Sequence, residues 1–108
     1  MNETIRRLAQ FIRDNPDDLF SRFALALEMV KLNDEAKART LFESIQQIKP
    51  DYPGLSYHLG KLYQRAGEFD LAEKLYDQGV EYADKEGNLH AKNELLQAIE
   101  ELKFVKTE

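Results

Sequence analysis

Two histidines, His58 and His90, are the first residues in this chain that could do chemistry. His90 and Glu94 stand one helical turn apart, a spacing at which an imidazole and a carboxylate can share a metal ion. Two ligands do not complete such a site, and no third stands nearby in sequence. The acidic pairs Asp17–Asp18 and Glu100–Glu101 suit helix caps and solvated helix faces better than general acid–base work. There is no glycine-rich phosphate loop, no nucleophile motif and no calcium loop. The chain has no cysteine, hence no thiolate metal site and no disulfide framework. These residues ask for no metal, no cofactor and no catalytic step, so the expectation is a protein that is not an enzyme.

Composition narrows the class further. The 108 residues carry a net charge of -5, with 32% charged and 43% hydrophobic residues. This describes a folded chain whose charge argues against a nucleic-acid partner, which needs a basic footprint. The opening MNETIRR lacks the apolar run of a signal peptide and no segment could span a bilayer, so no membrane role and a cytoplasmic home are expected.

The elements that must position any site are helical. In the stretch from Tyr57 to Tyr76, Leu59, Leu62 and Tyr63 recur at helical spacing, Gly67 breaks the pattern, and Ala72, Leu75 and Tyr76 resume it. This predicts a helical hairpin, with Gly60 giving close approach to a second helix and Ala72 the matching small surface. A shift of 34 positions lays Leu25 on Leu59, Ala26 on Gly60, Met29 on Tyr63, Asn33 on Gly67, Ala38 on Ala72 and Phe42 on Tyr76. A fixed period of this kind marks a repeat array.

Around these two units the chain predicts a half-repeat helix over Glu3–Asp14, with Ile5, Leu8, Ala9 and Ile12 on one face. Asn15-Pro16-Asp17-Asp18 stops one helix and starts the next. Asn33-Asp34 supplies a left-handed turn residue and an N-cap, and Pro53 suits a first helical turn. The second helix of the hairpin should reach about Ala83. A last helix, about Leu89 to Lys103, carries the stripe Leu95, Leu96, Ile99 and Leu102, and the tail from Phe104 to Glu108 should fray.

Leu59, Gly60, Tyr63, Gly67, Phe69, Ala72 and Tyr76, with Leu25, Ala26, Ala38, Phe42 and Pro50 matching more loosely, resemble the tetratricopeptide repeat family. The sequence departs from that pattern at Arg22 and Ser56, where a large aromatic often stands, at Ile45 and Gly79, where alanine is usual, and at Asp84 in place of the closing proline. The resemblance implies an all-α right-handed solenoid of antiparallel helix pairs with about six helices. As one domain over 1–108 it would comprise a half-repeat (1–15), repeats at 19–52 and 53–86, and a capping helix (87–104).

In that family the first helix of each pair lines a concave groove, and the position of Phe23 and Tyr57 faces the ligand. The resemblance therefore implies a protein-interaction scaffold whose groove uses Phe23, Leu27 and Val30 in the first repeat. Tyr57, Lys61, Gln64 and Arg65 continue it in the second. The expected partner is another protein or a peptide segment, with an apolar anchor and an acidic group near Lys61 and Arg65. Phe23 and Leu27 stand where the family's clamp for an acidic chaperone tail wants lysine and asparagine, so that specificity is not implied. Two alternatives stand beside this: the final helix covers part of the groove, or the array self-associates as a weak homodimer through an open end marked by Phe11.

Overall fold

The computed structural model describes residues 2–107, which form six α-helices and no strand. They are α1 (Glu3–Asp14), α2 (Leu19–Lys31), α3 (Glu35–Ile48), α4 (Leu55–Arg65), α5 (Phe69–Glu86) and α6 (Leu89–Thr107). Two compact units result, one through Lys49 and one from Pro50 onward.

In the first unit, α2 packs on α3 and α1 packs on α2. The Asp18 carboxylate accepts from the Ser21 amide at 3.2 Å, and Asp34 likewise accepts from Lys37, so both predicted aspartate caps form. Asn33 takes φ 60° between them, the left-handed residue that the turn requires. Ala38, Phe42 and Ile45 of α3 are fully buried against Leu25, Ala26 and Met29 of α2, which are buried in turn. Arg22, in the place of a large aromatic, braces the unit by polar means. Its guanidinium donates to the Pro16 carbonyl at 2.5 Å and to the Ser44 hydroxyl of α3 at 3.3 Å.

The second unit packs α4 on α5, α5 on α6, and α6 lightly on α4. Gly67, with φ 78°, makes the α4–α5 turn where Asn33 makes the α2–α3 turn. Leu55, Leu59, Leu62, Tyr63, Ala72, Leu75 and Tyr76 form the core, joined by Leu95, Ala98 and Leu102 of α6. Two glycines set its dimensions. A Cβ on Gly60 would fall into the ring of Tyr76, so Tyr76, rather than Ala72, is the group for which the glycine makes room. A Cβ on Gly79 would lie 2.6 Å from Ser56 Cβ and 2.9 Å from Leu95 Cδ1. Ser56 and Gly79, both smaller than the family pattern expects, are thus a matched pair at the point where α4, α5 and α6 converge.

Boundaries differ from the sequence reading at three places. Pro53 lies in the turn before α4; the chain enters the helix through Gly54, whose φ of 85° accounts for the later start. Helix α5 runs past Ala83 to Glu86 and stops at the left-handed Gly87. Helix α6 runs through the expected frayed tail to Thr107. There Lys106 reaches back to Glu73 of α5 at 2.6 Å, an exposed pair that holds the Glu73 carboxyl below the usual range. Glu108 lies outside the described residues.

Gly79→Ala tests the convergence point. Alanine gains helix propensity worth up to about 1 kcal/mol, but overpacking against Ser56 and Leu95 costs roughly 1–3 kcal/mol. A net loss of stability is expected in chemical denaturation. A Gly79→Ala chain as stable as the parent would show that the three helices do not meet closely there.

Candidate functional site

The structure divides the expected groove residues between the two units. In the first, Phe23, Leu27 and Val30 are half-buried on α2. The Phe23 ring meets Phe42 of α3 edge-on, with centroids 5.4 Å apart, so one side of that ring belongs to the core. Phe11 of α1 is 47% exposed.

In the second unit, α4 brings Tyr57, Lys61 and Gln64 together, half-buried, with Arg65 exposed at the carboxyl end. The Lys61 ammonium lies 5.5 Å from the Tyr57 ring centroid, within cation–π reach. It also donates to Glu101 of α6 at 2.9 Å, a partner forty positions away. Gln64 faces the core: its Oε1 accepts from the Tyr76 hydroxyl at 2.9 Å. Burial above all, then the fields of Tyr57 and Glu101, push the Tyr76 phenol well above its ordinary range, so it remains a donor. The expected groove face of α4 is therefore already tied to α5 and α6 through its polar groups.

His58 stands beside Tyr57 with ring centroids 5.3 Å apart, edge to face. Burial lowers its pKa; Glu94 of α6 opposes that shift and Arg65 adds to it. Glu94 thus acts on His58, a relation that spacing along one helix could not reveal. His90 is exposed, and among the described residues no group of three potential metal ligands gathers.

The model of the tetratricopeptide repeat matches residues 29–99 of this chain. The chain belongs to the tetratricopeptide repeat family. A solution structure of a tetratricopeptide repeat domain protein from Salinibacter ruber is 42% identical over 82% of this chain and 89% of its own, with a TM-score of 0.74. A crystal structure of a tetratricopeptide repeat domain protein from the same organism is also 42% identical, over 80% of this chain and 97% of its own, at a TM-score of 0.75. A solution structure of a Bordetella parapertussis protein shares the fold at a TM-score of 0.81 and 21% identity, over 95% of this chain and 90% of its own. Tetratricopeptide repeats are in general non-catalytic scaffolds for protein–protein interaction. Among the described residues no helix is long and apolar enough to cross a membrane.

The lowered His58 pKa gives a stability signature. The folded state disfavours the imidazolium, so the unfolded chain binds the extra proton first as pH falls. The contribution is fully present above the ordinary histidine range and is lost as pH drops from there through the lowered value. Denaturation midpoints should fall across that interval, and the slope there should flatten in His58→Gln. An unchanged slope in that variant would assign the effect elsewhere.

Proposed function

We propose that this tetratricopeptide repeat protein binds a segment of another protein on the faces of its first helices. Phe23, Leu27 and Val30 contribute in one unit and Tyr57, Lys61, Gln64 and Arg65 in the other. The observation that carries this reading is Tyr57, a half-buried aromatic with an ammonium over its ring, because partly desolvated aromatic and basic residues dominate such contacts. An apolar anchor on the segment would seat against Tyr57. A carboxylate would take Lys61 from Glu101, with Arg65 one turn further on. That exchange sets a cost, since the ligand must displace a contact the chain already makes, and affinity should be modest.

Peptides selected from a displayed library on the immobilised chain would test this. They should share an apolar anchor and a carboxylate. Tyr57→Ala should weaken their binding about tenfold or more, as for a central aromatic contact. Glu101→Gln should tighten the carboxylate-bearing peptides about two- to fivefold, the scale of one exposed ion pair, and less in high salt. Selected peptides that bind the Leu27→Ala, Tyr57→Ala double variant as tightly as the parent would place the contact elsewhere.

Phe11 favours a second reading, self-association, because its ring is 47% exposed at the chain's first helix. Sedimentation should then show a concentration-dependent dimer that Phe11→Ser abolishes, and a monomer at high concentration would dismiss it.

A further inference from the structure

Within the second unit, the amino ends of α4 and α6 and the carboxyl end of α5 enclose a cleft of about 60 Å³. That is room for roughly four water-sized groups. Its lining holds three phenols, Tyr52, Tyr57 and Tyr82, and three carboxylates, Asp51, Glu86 and Glu94, and no lysine or arginine. Asp51 and Tyr52 already interact within the chain. Glu86 and Glu94 are exposed, and neither makes an ion pair or a side-chain hydrogen bond among the described residues. Of the nearby lysines, Lys92 pairs with Asp84 at 2.8 Å, and Lys61, whose ammonium also lies over the Tyr57 ring, pairs with Glu101 at 2.9 Å.

Such a lining selects a cation. Phenol rings present a negative π-face, and two carboxylates without a counter-charge raise the local negative potential. The backbone field is mixed, because the carboxyl end of one helix and the amino ends of two border the cleft. Each end amounts to about half a charge, so the full charges of the carboxylates decide. A planar guanidinium satisfies both features: it stacks on a phenol and forks to a carboxylate, which a compact ammonium does less well.

We propose that this cleft receives the side chain of an arginine on the partner segment. The proposal rests on the interaction reading above and gives the segment a direction. Tyr57 borders the cleft, and Lys61 and Arg65 follow it along α4, so the segment's arginine lies at the amino end of α4 and its carboxylate toward the carboxyl end.

The test uses the isotopically labelled full chain, titrated with N-acetyl-arginine methylamide. The uncharged N-acetyl-citrulline methylamide, of nearly the same shape, serves as its counterpart. The arginine probe should give saturable shifts at the amides of Gly54 to Tyr57, Tyr82 to Glu86 and Ala91 to Leu95, and the citrulline probe none. Glu86→Gln with Glu94→Gln should weaken the arginine probe about three- to tenfold, the range for two partly exposed charge contacts. Both positions are exposed, and the same spectra report that the variant is folded. Equal shifts from both probes, or undiminished binding by the double variant, would overturn the proposal. A cleft indifferent to arginine, with selected peptides still sensitive to Leu27→Ala, removes this inference and leaves the interaction reading standing. Arginine binding in the cleft, with selected peptides indifferent to both Leu27→Ala and Tyr57→Ala, removes the groove reading instead.

Discussion

The second unit depends on one close approach. Gly79 of α5 lies so near Ser56 of α4 and Leu95 of α6 that no side chain fits at 79. Where three helices meet, the smallest residues set the interaxial distances, and every larger contact is arranged around them. Tyr76 lies over Gly60 on the same pair of helices, and its hydroxyl is fixed by Gln64. Lys61 reaches Glu101 because α6 is drawn in far enough to touch α4. The first unit solves the same problem differently. Ile45 stands at the position of Gly79 and is fully buried, while Arg22 spans from α2 to Ser44 in place of a packed ring.

Much of the fold was legible because local chemistry and periodicity agreed. Asn33, Gly67, Asp18 and Asp34 mark turns and caps through their own backbone preferences, which do not wait on tertiary contacts. Helix ends set by tertiary contact were less legible. The last turn of α6 is held by Lys106 on Glu73, a pair separated by thirty-three positions, and apolar periodicity contains no trace of it. Its small size marks Gly60 as a close approach, and the structure puts the Tyr76 ring, rather than Ala72, against it. The period gives which residues are small, but not which ring swings across them.

The candidate site was legible as a set of residues and not as a set of partnerships. Tyr57 and Lys61 stand one turn apart on α4, and sequence alone places them together. Glu101, which holds the Lys61 ammonium, and Glu94, whose field reaches His58, come from another helix. Spacing along the helix relates Glu94 to His90, while in the fold its field falls on His58 of α4. The phenols and carboxylates around the small cleft come from three helices and a loop, with no common spacing to announce them. They are found only when the helices are put in place.

Helix α5 is seven residues longer than α4, 18 against 11. At 1.5 Å per residue the excess is about 10 Å. Since Gly79 rests against Ser56, near the start of α4, nearly all of that excess projects beyond its partner as a ledge. Tyr82 and Glu86 stand on this ledge with no turn of α4 beside them. A repeat with helices of equal length would hide those side chains in a helix–helix seam. The mismatch instead leaves Tyr82 half-buried and Glu86 exposed on the wall of the cleft. Recognition chemistry can then change on the ledge while the residues that hold the helices together stay as they are.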